Sequence, residues 1–130
     1  MASFVIPLVY VGLGGLLGAI LRYLMTLAGL KISLVFPYGT LASNLLGCFF
    51  IGAIAQLAAD TDLLSSEARL FLATGLCGGF TTLSSMIYEL AQLLKDNEVF
   101  FASIYFAATF FGALLSFYLG SLLFSGFTRP

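Results

Sequence analysis

Four long apolar stretches separated by short polar segments account for most of the chain. They cover about residues 4–27, 39–59, 70–94 and 99–124. Each is long enough to cross the roughly 30 Å hydrocarbon core of a bilayer as an α-helix. We therefore predict an all-α, multi-pass membrane protein that forms a single transmembrane domain of four helices.

Polar residues interrupt the second stretch at a helical spacing. Thr40, Ser43, Asn44 and Gly47 follow the i, i+3, i+4, i+7 pattern of one helix face, so this face must meet protein or water. The Asn44 amide supplies two N–H donors and an acceptor. Two interpretations remain open for it: a group that contacts a transported species, or a hydrogen bond across a helix interface.

The third stretch contains an unusual segment, GLCGGFTTLSSMIYE, at Gly75–Glu89. Its glycines and hydroxyls are poorly suited to an uninterrupted apolar helix, so we predict a break in the third helix. Irregular backbone at bilayer depth is tolerated where it is buried in protein or lines a watery cavity. The break therefore marks either an ion or substrate site or a kink that packs closely on a neighbouring helix.

Ionisable and hydroxyl groups continue beyond this break. Ser85 and Glu89 share a helix face, as do Tyr105 and Thr109 in the fourth stretch. An acid inside a span is a functional hypothesis by default, but Glu89 is close enough to Lys95 to be paired or snorkelling at the interface. The hydroxyl and amide donors at membrane depth are Thr40, Asn44, Ser84, Ser85, Tyr105 and Thr109.

Composition narrows the classes of function. The 130 residues are 61% hydrophobic and 8% charged, with no histidine and two cysteines, so a transition-metal site or a catalytic centre has few groups to draw on. No basic run is present that could neutralise the phosphates of a nucleic acid. The two cysteines lie in apolar stretches and are interpreted as small hydrophobes, with a disulfide as the alternative. The first stretch is interpreted as a span and not as a cleaved signal peptide.

The distribution of basic residues gives almost no orientation signal. With four spans, Arg69 and Arg129 lie on one side of the membrane, and Arg22, Lys31 and Lys95 on the other. Because Lys/Arg asymmetry sets topology, we predict that the chain inserts in both orientations and forms an antiparallel dimer. A fixed topology that has lost its bias is the alternative.

Three motifs together resemble the Fluc (CrcB) family of fluoride channels: GGLLGAILRY in the first span, PYGTLASNLLGCFFIG in the second and TGLCGGFTTLSSMIYE in the third. The resemblance covers nearly the whole chain. It implies an antiparallel, dual-topology homodimer in the inner or plasma membrane, surrounded by lipid, with two pores for the passive export of fluoride. It also implies a structural sodium ion at the dimer centre, held by the backbone carbonyls of Gly78 and Thr81.

The same resemblance assigns roles to side chains. It implies that Asn44 lies at the pore, that Tyr105 and Thr109 line a polar track, and that Glu89 and Arg22 belong to its polar ends. Two departures stand out. Leu83 and Met86 occupy the positions where the family commonly has phenylalanines with ring edges facing the anion, and Ala113 replaces a small polar residue one turn beyond Thr109.

Two other functions are alternatives to a fluoride channel. A small proton-coupled exporter of toxic compounds can also be a four-span, dual-topology dimer, but it needs an acid in the middle of a span, usually the first, and the first span here has none. Small residues at helical spacing, which let helix backbones approach closely in lipid, occur in the first span at Gly14, Gly15 and Gly18 and in the fourth at Gly112, Ser116 and Gly120. A purely structural membrane protein would explain these small-residue ladders, but not the polar stripe and the break together.

Overall fold

The fold is described from a computed structural model, which covers residues 1–126. Four helical segments are long and apolar enough to cross a membrane: Ala2–Leu30, Tyr38–Asp60, Ser66–Lys95 and Val99–Ser125. Within residues 1–126 the regular structure is entirely helical. The predicted all-α class and the four spans are therefore confirmed, and the chain is a multi-pass membrane protein.

The first, second and fourth spans are continuous helices, α1 (Ala2–Leu30), α2 (Tyr38–Asp60) and α6 (Val99–Ser125). The third span is composite. It starts with the short helix α3 (Ser66–Arg69), continues as a π-helix over Leu70–Cys77 and α4 (Gly78–Phe80), and resumes as α5 (Leu83–Lys95). Arg129, which entered the count of basic residues, lies outside the described residues.

The helices α2 and α6 run parallel and in close contact. A Cβ atom added to Gly52 would overlap the Phe117 carbonyl, and one added to Gly120 would overlap the Phe49 carbonyl. One helical turn beyond Gly52, Gln56 and Ser121 are joined by a 2.7 Å hydrogen bond. Small residues thus allow the two backbones to approach, as is usual between helices in lipid.

Glycines also bring α1 against the first half of the third span. A Cβ atom on Gly18 would overlap the Leu76 carbonyl, and one on Gly79 would lie 2.5 Å from the Gly15 carbonyl. The small-residue pattern of the first span is therefore a packing surface, as its sequence predicts. Large apolar side chains cover much of the outer surface, and both cysteines are free thiols within the spans.

Candidate functional site

The polar stripe of the second span faces the protein interior. Thr40, Ser43 and Asn44 are all buried, and so is Gly47, where an added Cβ atom would overlap the Thr81 methyl group. The stripe therefore lies between α6 and the middle of the third span. This buried polar region is the candidate functional site.

At one end of the stripe, Glu89 accepts two hydrogen bonds. The Thr40 hydroxyl donates to Glu89 Oε1 at 2.7 Å, and the Tyr105 hydroxyl donates to Glu89 Oε2, also at 2.7 Å. Tyr105 is 0% exposed, so the carboxylate is held against the interior by residues of two other helices. This geometry favours a Glu89 side chain that is hydrogen-bonded within the protein over one that extends toward Lys95 at the membrane interface.

A cavity of about 300 Å³ opens beside this cluster. Thr40 and Glu89 form part of its wall, and Asp96 and Glu98 line it farther out. Among the lining residues, all within the described part of the chain, the charged side chains are acidic. An anion that entered here would meet a negative field, so any anion path needs positive charge elsewhere.

Asn44 is bound to the break in the third span. Its Nδ2 donates to the Thr82 carbonyl at 3.1 Å, and its Oδ1 accepts from the Thr82 backbone N–H at 2.7 Å. The amide of Asn44 thus pairs with both the backbone N–H and the backbone carbonyl of Thr82, in the way that a residue of a neighbouring β-strand would. Of the two open interpretations, the hydrogen bond across a helix interface is the one seen, while one N–H of the amide is left for another acceptor.

The backbone at Thr81 and Thr82 is extended, with φ −87° and ψ 154° at Thr81, and φ −153° and ψ 122° at Thr82. Extended residues cannot continue the helical series of hydrogen bonds, so polar groups on both sides need other partners. The Thr82 hydroxyl caps α5 by accepting from the Ser85 N–H at 3.1 Å, and it lies 3.3 Å from the Ser84 hydroxyl. On the other side, Arg22 Nε donates to the Gly79 carbonyl at 3.0 Å.

Arg22 is therefore beside the break. A guanidinium at the carboxyl end of α4 offsets the partial negative charge of the carbonyls there. The adjacent Gly78 is one of the two residues whose carbonyls the sequence resemblance assigns to a sodium ion. Arg22 and such an ion would both contribute positive potential to the centre of the protein.

Leu83 and Met86 are on different surfaces of α5. Leu83 is 71% exposed, whereas Met86 is 3% exposed and packs with Phe36, Leu93 and Tyr105. The two positions that the family commonly fills with phenylalanine therefore do not form one surface within a single chain. Leu83 is available to lipid or to another subunit, and Met86 belongs to the core around Tyr105.

Two hydroxyls in this region are buried without a partner. Within residues 1–126, neither Ser43 Oγ nor Thr109 Oγ1 makes a hydrogen bond. An unsatisfied buried group costs on the order of 1–3 kcal/mol, so these two hydroxyls need an explanation. Thr109 is among the predicted site residues. Ser43 was seen in the sequence only as a member of the stripe, and the residues alone gave no reason to rank it above Asn44.

Comparison with known proteins gives one family over most of the chain. Residues 9–121 match the family model of the CrcB-like proteins, which is described as camphor resistance (CrcB). The match includes the polar stripe, the break and the residues around Glu89.

Individual relatives are similar over nearly their full length. The chain is 49% identical over 116 residues to the fluoride-specific ion channel FluC of Chlorobium phaeobacteroides, covering 89% of this chain and 91% of that protein. It is 50% identical to the proteins of the same name from Prosthecochloris aestuarii and Chlorobaculum tepidum, each over 113 residues and 87% of this chain, covering 88% and 90% of those proteins.

Proposed function

Because the chain belongs to the CrcB-like family, as its three motifs predict, we propose that it is a fluoride channel. The relatives are ion channels, so the chain is not an enzyme, in agreement with its composition. The observation that carries the proposal is a set of buried polar side chains on two packed helices: Thr40, Ser43 and Asn44 on α2, and Tyr105 and Thr109 on α6.

A fluoride pore has to replace water around a small, strongly hydrated anion. Hydrogen-bond donors must substitute for the lost hydration, because an unpaired charge in an apolar passage is very costly. The stripe and the facing residues of α6 bring hydroxyl and amide donors to the interior of an otherwise apolar protein. The phenylalanine ring edges of the family are replaced here by Leu83 and Met86, so selectivity rests on pore width and on these donors.

A positive field must also offset the acidic lining of the cavity. We assign part of it to Arg22 and part to a sodium ion at the break, coordinated by the Gly78 and Thr81 carbonyls. Carbonyl oxygens suit hard cations, and the extended backbone at Thr81 supports this assignment. The described residues contain no cluster of three or more His, Cys, Asp or Glu side chains that could hold a metal, and the ligands that we propose are backbone oxygens.

The proposed sodium site and the weak charge bias are both consistent with a dimer, which we include in the proposal. Two carbonyl oxygens from one chain do not complete the shell of a hard cation, and a second copy around the same axis would supply an equivalent pair. The near-equal distribution of basic residues fits an antiparallel arrangement in the inner or plasma membrane. Such a dimer would contain two pores. Flux would follow the fluoride gradient, so accumulated fluoride that enters as hydrofluoric acid would leave passively.

The test is anion efflux from liposomes that contain the purified protein, with fluoride and chloride compared under the same gradient. We expect rapid fluoride efflux and chloride efflux close to that of protein-free liposomes. Equal rates for both anions would reject selectivity. Fluoride efflux no faster than in protein-free liposomes would reject the channel function. Efflux that requires a proton gradient would favour the proton-coupled exporter.

A further inference from the structure

The unpartnered hydroxyls of Ser43 and Thr109 do not donate to the backbone carbonyl of the preceding helical turn. A serine or threonine in a helix commonly donates to the carbonyl four residues earlier, and Thr26 and Ser103 of this protein do so, at 3.1 and 2.8 Å. Among the described residues, Ser43 Oγ and Thr109 Oγ1 make no such bond. Ser43 is 0% exposed and Thr109 is 8% exposed, so bulk water does not compensate.

The register of α2 and α6 places these two residues at nearly the same level. Gln56 and Ser121, which are hydrogen-bonded, are 65 positions apart in the chain, and Thr40 and Tyr105 bind the same carboxylate at the same separation. Because the helices run parallel, this register sets Ser43 level with Ala108, the residue before Thr109. The two residues therefore differ in depth by about one residue, roughly 1.5 Å along the helix axis, and lie about one helical turn beyond the Thr40–Tyr105 level.

The other polar side chains of this region are already engaged. Thr40 and Tyr105 donate to Glu89, and Asn44 is paired with both backbone groups of Thr82. Ser43 and Thr109 are left as two buried O–H donors without an acceptor. A pair of donors of this kind suits a small, hard anion, because hydrogen bonds to an ionised acceptor are short and strong.

We infer that Ser43 and Thr109 together bind the permeating anion, and that Ser43 is a specificity-determining residue of this pore. The inference rests on the proposed fluoride channel and names a donor that the sequence did not single out. Both residues lie beyond the wall of the 300 Å³ cavity, which includes Thr40 but neither of them. An anion at this level has left the open cavity, so small size and strong hydrogen-bond acceptance favour fluoride over chloride.

The first test compares Ser43→Ala with the unmutated protein in the liposome assay. We expect fluoride efflux to fall at least tenfold, while the thermal unfolding midpoint in detergent stays the same or rises, because no protein partner loses a bond. Ser103→Ala is the matched control, since it removes an exposed hydroxyl that bonds only to its own helix, and its flux should equal that of the unmutated protein. Unchanged flux in Ser43→Ala would overturn the inference. So would a lower flux accompanied by a lower midpoint, which indicates a structural role.

Thr109 gives a second, independent comparison. Thr109→Ser keeps the hydroxyl and should conduct, whereas Thr109→Val keeps the shape and should lose at least tenfold in fluoride flux. If both donors bind one ion, the double variant Ser43→Ala/Thr109→Val loses little more than either single change. Losses that multiply would mean that the two residues do not share an ion.

A binding measurement separates this inference from the channel function itself. Sodium fluoride should raise the unfolding midpoint of the purified, unmutated protein relative to sodium chloride, and this shift should disappear in Ser43→Ala. If the unmutated protein shows the shift but no flux, the anion site stands and the channel function fails. If it conducts while Ser43→Ala keeps both flux and shift, the hydroxyls hold only structural water and the inference fails.

Discussion

Replacing Asn44 by aspartate tests the centre of the proposed pore. The change keeps the size of the side chain and the oxygen that accepts from the Thr82 N–H. It replaces Nδ2, which donates to the Thr82 carbonyl at 3.1 Å, with a second carboxylate oxygen. The variant therefore loses one hydrogen bond to the break and gains a negative charge beside the anion path.

The size of the effect follows from the lost hydrogen bond and the added negative charge. A hydrogen bond contributes about 0.5–1.5 kcal/mol to stability, so the break is weakened but not abolished. Two like charges about 4 Å apart repel by roughly 4 kcal/mol at an effective dielectric constant near 20. Since every 1.4 kcal/mol is a factor of ten, we expect fluoride flux to fall by about three orders of magnitude.

The assay is fluoride efflux from liposomes, together with size-exclusion chromatography to check that the assembly survives. Asn97→Asp is the matched control. Asn97 lies on the exposed surface between α5 and α6 with φ 60°, a conformation that aspartate also tolerates. Flux in Asn44→Asp close to the unmutated level would refute the reasoning and leave Asn44 as a packing residue only.

Three further predictions concern the membrane topology, the proposed sodium site at the break, and the two positions where the family commonly has phenylalanine. Cysteines introduced in the loops that contain Lys31 and Glu67 should each be labelled from outside the cell in a fraction of molecules; labelling of one loop alone would exclude dual topology. Exchanging sodium for a large organic cation should lower the unfolding midpoint, and a high-resolution structure should show an ion bound by the Gly78 and Thr81 carbonyls; an apolar contact there would reject the site. Leu83→Phe should be tolerated at its exposed position, whereas Met86→Phe should cost about 1–3 kcal/mol by overpacking; equal unfolding midpoints for the two variants would contradict this difference.

The sequence alone would have treated the last two substitutions alike. Both positions follow the break and depart from the family in the same way, so the sequence predicts that both changes to phenylalanine are tolerated. Three positions apart, the two residues would usually lie on neighbouring parts of one helix face. The structure nevertheless separates them, because Leu83, the first residue of α5, is exposed, whereas Met86 lies in the core cluster that includes Tyr105. Residue type and spacing do not contain that information.

The spans, by contrast, could be predicted closely. Their length and apolar composition are dictated by the bilayer thickness, and the glycine pattern of the first span indicates a close helix contact whatever the partner. The partner itself, the π-helix at Leu70–Cys77 and the bond from Arg22 to Gly79 depend on tertiary packing. No local pattern in the chain specifies them.

The polar stripe illustrates the same limit at the site. Ser43 and Asn44 are adjacent, both buried, and both capable of donating to an anion. Asn44 is the stronger candidate by chemistry, because an amide has more donors than a hydroxyl. Yet a residue with two donors and an acceptor is also the better partner for an interrupted backbone, and Asn44 is bonded in that way. The weaker group is left without a protein partner, and that lack of a partner makes Ser43 available to an ion.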